Sequence, residues 1–141
     1  MKTLILPLLL ASAALSFAQE KEIPMRTFEI DSKKKDGTRI GAFLTGETIV
    51  IEYVEGHWVA YPGWKHESPD EAKTPQHRIA LYHRKAGGEE TIVEFPRETK
   101  GNPWKHLVDK QGNYYLRIAD PVIDANEGKV VYKIGVIKPE K

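Results

Sequence analysis

Val130-Val131-Tyr132-Lys133-Ile134-Gly135-Val136-Ile137 alternates with a period of two, placing Val130, Tyr132, Ile134 and Val136 on one side and Val131, Lys133, Gly135 and Ile137 on the other. Successive side chains of a strand point to opposite faces, so the run reads as a strand with one apolar face in a core and one mixed face. Tyr114, Leu116 and Ile118, set against Tyr115 and Arg117, repeat the pattern. An amphipathic helix would space its apolar residues three and four apart. Two sheets packed face to face need the spacing seen here.

The same period recurs upstream in Arg26–Ile30, Arg39–Leu44, Glu47–Val54, His57–Tyr61, Arg78–His83 and Thr91–Phe95. Gly46 precedes the Glu47 run and Gly56 follows it, so Gly56 is expected to end that strand. Eight short strands with no convincing helix predict an all-β fold, a single β-sandwich of the jelly-roll kind. Repeats, low-complexity tracts and linkers are missing from the sequence, and residues 19–141 are expected to form one domain with frayed ends at Glu20–Glu22 and Lys138–Lys141.

The balance of the 141 residues, 40% hydrophobic and 29% charged, excludes collagen, coiled coil and wholesale disorder. A formal net charge of +1 gives no long-range field favouring nucleic acid or an anionic membrane. Cysteine is absent, which removes disulfides, thiolate metal sites, a Cys nucleophile and lipid attachment at a processed N-terminal Cys.

Lys2 precedes the apolar run Leu4–Phe17, and Ser16-Phe17-Ala18 precedes the polar Gln19-Glu20. Residues 1–18 therefore read as a secretory signal peptide, too short for the roughly 20 residues that span a bilayer. The expected destination is the periplasm or the exterior, with nothing inserted in the membrane once the signal is gone. Lys2 is the one charge removed, so the 21 basic and 20 acidic side chains of the full chain become balanced.

Two loops carry more chemistry than turns need. Tyr61–His77 is long for a connection in a compact domain and contains Trp64, His66, Ser68, Asp70 and Glu71. Sugars offer hydroxyl pairs to fixed polar groups and an apolar C–H face to an aromatic ring, so Trp64 among carboxylates and histidine suits a saccharide. It equally suits a packing residue at the rim. Trp58, inside a strand, is expected in the core. The second loop, Asp120–Gly128, places oxygen ligands at Asp120, Asp124 and Asn126 with Gly128 closing the turn, a donor set for a hard cation such as Ca²⁺. Asp, Asn and Gly also populate ordinary turns for backbone reasons.

The five histidines follow no zinc spacing; His66 and His77 could meet, or contact a ligand, if the long loop folds back, and the plainer expectation is that they are solvated loop residues. After the signal the serines are Ser32 and Ser68, neither within a nucleophile elbow. The chain is therefore not expected to be an enzyme.

From Gly46 to Ile137 the order of these features resembles the soluble galactophilic lectins of bacteria, the PA-IL type, and the broader galactose-binding-like jelly rolls. The resemblance rests on Gly46-Glu47-Thr48-Ile49-Val50-Ile51, Gly56-His57-Trp58-Val59-Ala60-Tyr61, Trp64 with Ser68-Pro69-Asp70-Glu71, and Ile79–Arg84 with Gly87-Gly88. It closes with Gly112–Asp120 and Gly128–Ile134. It implies an exported carbohydrate-binding sandwich in which one Ca²⁺ coordinates sugar hydroxyls. Tyr61 would supply a backbone carbonyl to that ion, Asp120 a carboxylate and Asn126 an amide oxygen. Ala125 stands where the family has a second Asn, and Asp124 is the available substitute. On the sugar side Ser68 and Glu71 replace the family's His and Gln, flanking Pro69-Asp70.

The partner expected is thus a carbohydrate or glycoconjugate. The alternative is a secreted protein, with the chain acting as an inhibitor of a lysozyme or another exported hydrolase. Small periplasmic lysozyme inhibitors end in strands like Gly112–Ile118, although their inhibitory loop has no match here. A structural envelope domain with a decayed ligand site is the third reading.

Overall fold

The computed structural model describes residues 21–94, 96–97 and 99–141. The segment read as a signal peptide lies outside them. Eight strands follow in order: β1 (Met25–Asp31), β2 (Thr38–Phe43), β3 (Thr48–Val59), β4 (Ile79–Arg84), β5 (Glu90–Glu94), β6 (Trp104–Leu107), β7 (Gly112–Ile118) and β8 (Glu127–Ile137). A 3₁₀ turn, Pro75–His77, precedes β4.

The strands form two antiparallel four-stranded sheets, β1-β8-β3-β6 and β2-β7-β4-β5. β1 pairs with β8, β2 with β7, β3 with β6 and β4 with β5. These pairs are those of one long hairpin folded at the β4–β5 turn and then rolled, which is the jelly-roll topology. The expected all-β sandwich is the fold observed.

Inward residues from both sheets make the core. Ile30, Ile49, Ile51, Tyr53, Trp58, Val130 and Tyr132 come from one sheet, and Ile40, Phe43, Ile79, Leu81, Tyr114, Leu116 and Ile118 from the other. The alternation read in β7 and in β8 up to Ile134 is the observed burial pattern, with Val130, Tyr132 and Ile134, and Tyr114, Leu116 and Ile118, all buried. Beyond it Gly135, read on the mixed face, is buried against Met25 and Ile23, and Val136 is half-buried. Aromatic edges fill the spaces that aliphatic chains leave: Phe43 meets Tyr114, and Tyr53 meets its cross-strand partner Tyr132, each at 5.7 Å between ring centres.

Two strand assignments change. Gly56 does not end a strand: β3 runs through it to Val59, absorbing His57–Tyr61 as far as Val59. The register against β8 shifts between Tyr53 and Glu55, and Gly56 then adopts φ +105° where a Cβ would press on the Lys129 carbonyl. A bulge followed by a glycine bends a strand and increases its twist without breaking the ladder. In its place β6 is a strand with no forecast. Only four residues long and half polar, Trp104-Lys105-His106-Leu107 is ordered by pairing with Thr48–Ile51.

Candidate functional site

β6 covers β3 only from Thr48 to Ile51, so the later part of β3 would be an open edge. The long loop after β3 folds back and fills it. Trp58 N–H donates to the Glu67 carbonyl at 3.1 Å, and Glu67 N–H returns a bond to the Trp58 carbonyl at 3.0 Å. This isolated bridge lays residues 67–71 along the β3 edge.

His77 fastens the loop from the other end. Its ring is 1% exposed, and its Nε2 accepts the Ala60 N–H at 2.9 Å. A backbone N–H can only donate, so Nε2 is the unprotonated nitrogen and Nδ1 carries the hydrogen, which it donates to Glu67 Oε2 at 2.8 Å. The His77 carbonyl accepts from the indole N–H of Trp58. The expectation of a solvated His77 is thus corrected. The imidazole is buried because it satisfies a backbone amide that the departing chain strips of a strand partner. No sequence motif marks Glu67 and His77 as partners; ten residues apart, they meet only through the loop's return.

Burial alone would raise the Glu67 carboxyl, but the hydrogen bonds from His77 and Thr74 outweigh it and hold the pKa below the ordinary value. A carboxyl with a lower pKa folded than unfolded contributes stability that is complete above its unfolded pKa, about 4.3, and lost as pH falls toward the folded value. The melting temperature should therefore drop below about pH 4.5, and Glu67→Gln should flatten that part of the profile. An unchanged acid limb in the variant would remove Glu67 from the cause.

The sugar-side candidates divide. Ser68, Asp70 and Glu71 line a depression of ≈ 420 Å³ with Tyr53, His57 and Lys100. His66 lines an adjoining one with Ser68, Glu71 and Lys73. Trp64 borders neither; at 47% exposure it packs on Tyr61 at 4.7 Å between ring centres and meets His77 edge-on at 5.9 Å. It presents a ring to solvent from a buttressed position. Asp70 is committed to structure, accepting from Thr99 N–H at 3.1 Å, Thr99 hydroxyl at 3.0 Å and Lys100 N–H at 2.8 Å. Ser68 Oγ accepts the Glu71 N–H at 3.3 Å, shaping the turn. Glu71 is the exposed carboxylate of the set. Tyr53 and Lys100 join the site without having been anticipated, because a core-strand tyrosine and a turn lysine carry no local signature. Burial first, then the charges of Asp70, Glu71 and Glu55, raise the Tyr53 phenol above its usual pKa.

The metal candidates divide likewise. Asp120 is 3% exposed, with Oδ1 accepting the Val122 N–H at 3.0 Å and Oδ2 buried without a partner. Asn126 is fully buried. Its Nδ2 donates to the Ser32 carbonyl at 3.1 Å, which leaves Oδ1 as a second buried oxygen with no partner. Tyr61 and Asp124 are exposed, and the Tyr61 carbonyl accepts the Trp64 N–H at 3.2 Å. Among the described residues no three of His, Asp and Glu gather closely enough to hold an ion. A cation here would draw on amide and carbonyl oxygens beside Asp120.

A scan against models of known protein families finds no match, and a search of curated proteins finds none. Among solved structures the chain is similar to the N-terminal domain of EclA, a PllA-like lectin. That likeness has a TM-score of 0.51 and 23% identity, over 79% of this chain and 95% of that one. It establishes a shared fold, the β-sandwich that the resemblance in sequence implied.

Proposed function

We propose that this chain is an exported, non-enzymatic carbohydrate-binding protein whose saccharide sits at the long loop after β3, assisted by a Ca²⁺ in the Asp120–Asn126 turn. The observation that carries the saccharide is the likeness to a lectin domain along 79% of the chain. The loop supports it: it carries an exposed Trp64 ring held by Tyr61 and His77, and separately the polar turn Ser68–Glu71 lining a depression. Sugar sites combine such a ring with fixed polar groups.

The ion rests on the two orphaned oxygens, Asp120 Oδ2 and Asn126 Oδ1. Buried polar atoms without partners are rare, and carboxylate and amide oxygens are the hard donors Ca²⁺ takes. Asp120 and Asn126 would hold it, with Asp124 and the Tyr61 carbonyl as further oxygens. Bound there, Ca²⁺ would supply open coordination positions for vicinal hydroxyls.

A glycan array probed with and without chelator tests the reading. Binding to a defined group of glycans, weakened by chelator, is expected. Silence across the array alongside tight binding to lysozyme would overturn it in favour of a protein-directed inhibitor.

A further inference from the structure

The outer face of the β2-β7-β4-β5 sheet carries a second cluster of charged and aromatic side chains. Its register rows bring Arg39 opposite Tyr115, Tyr115 opposite Tyr82, and Tyr82 opposite Ile92. Arg84 lies over the Tyr115 ring and Arg117 over the Tyr82 ring, each at 4.1 Å from the ring centre. Glu90 ties the two guanidiniums together, 2.6 Å from Arg84 and 3.0 Å from Arg117. Both arginines also reach the β1–β2 turn, donating to the Asp36 carbonyl at 3.1 Å and the Lys35 carbonyl at 2.8 Å. That turn carries Lys33, Lys34 and Lys35, all exposed.

Six cationic groups therefore gather here, Lys33, Lys34, Lys35, Arg39, Arg84 and Arg117. The acids facing them are Asp31, Asp36 and Glu90, and the last is consumed as the link between guanidiniums. On a chain whose formal charge is only +1 this is a strong local excess. We propose that this face is a second binding surface, one that takes an acidic polysaccharide bearing carboxylate or sulfate groups.

Charge complementarity names the sign of the occupant, and the face's other properties name its class. Among the described residues of its four strands, Ile92 is the one large apolar side chain exposed on the face, too little apolar surface to insert into lipid. Both tyrosine rings are capped by guanidinium, leaving none free to stack a nucleic-acid base. Guanidiniums held in place by Glu90 and the tyrosine rings, flanked by exposed lysines, suit an extended chain with regularly spaced anions.

The test is titration calorimetry with polygalacturonate and with dextran sulfate, using neutral dextran and vesicles of phosphatidylcholine with phosphatidylserine as comparisons. Binding of the two polyanions at low salt, weakened roughly tenfold or more by 200 mM salt, is expected. A variant with Lys33, Lys34, Lys35 and Arg39 all changed to Gln should lose roughly tenfold or more of that affinity at an unchanged melting temperature, because none of the four packs in the core. Chelator should leave the interaction untouched, separating it from the lectin-like site. No polyanion binding at low salt, equal binding by the variant, or tighter binding to the vesicles would each overturn the proposal.

Discussion

Trp58→Ala should cost about 4 kcal/mol of folding stability, within the range seen when a large aromatic is deleted from a core. Trp58 is 0% exposed and sits where three structures meet: the end of β3, the returning strand at Glu67 and the 3₁₀ turn at His77. The substitution opens a cavity in the core and leaves the His77 carbonyl without its indole donor. Domains of this size are stable by only about 5–15 kcal/mol, so the variant should unfold at much lower urea concentration or fail to accumulate. Trp58→Phe separates the contributions: it keeps most of the packing and loses the hydrogen bond, for a smaller loss of roughly 1–3 kcal/mol. Urea unfolding of both variants measures this. A loss below about 1 kcal/mol for Trp58→Ala would mean the loop is not anchored through this residue.

The second large effect belongs to the proposed ion. If Ca²⁺ binds the native Asp120–Asn126 turn and not the unfolded chain, Ca²⁺ at a hundred times its dissociation constant stabilises by about 2.7 kcal/mol, on the order of 10 °C in melting temperature. Asp120→Ala should abolish that response, since it removes the one buried carboxylate of the turn. Asp124→Ala should only reduce it, because Asp124 is exposed and no hydrogen bond fixes its side chain among the described residues. A differential scanning measurement on chelator-stripped protein decides the matter. No shift at millimolar Ca²⁺, or the same shift in Asp120→Ala, would eliminate the site. Asn126→Ala would be a less clean probe, because it also cuts the bond to the Ser32 carbonyl that ties this turn to β1.

The sandwich was legible from period-two alternation because nearly every long strand buries one face. β8 and β7 state that pattern outright, and the rolled-hairpin pairing follows once eight such strands are arranged in two layers. What alternation could not show was where a strand bends instead of ending. Gly56 looks like a terminator in sequence and is a twist point in space, because only the neighbouring Lys129 carbonyl reveals why glycine is needed there. β6 was hidden for the opposite reason: its strand character comes from its partner β3, not from its own four residues.

The candidate site was legible in composition and not in connectivity. Trp64 is exposed as a sugar platform would be, and Ser68, Asp70 and Glu71 do share one depression. Asp70, however, spends its oxygens on Thr99 and Lys100, thirty residues away in sequence, and His77 is a buried clamp in place of a loop residue. Both roles depend on contacts between distant segments, which local spacing does not encode. The cationic face of the second sheet escaped for the same reason, since Arg39, Arg84 and Arg117 come from three strands and balance numerically against acids elsewhere.

Backbone amide shift mapping of ¹⁵N-labelled protein, first with Ca²⁺ and then with the strongest glycan from the array, reports both sites in one experiment. Ca²⁺-induced shifts are expected at 120–126 and glycan-induced shifts concentrated at 61–71, both reversed by chelator. Glycan shifts confined to other surfaces, or glycan binding with the 61–71 amides unmoved, would contradict the proposed saccharide site.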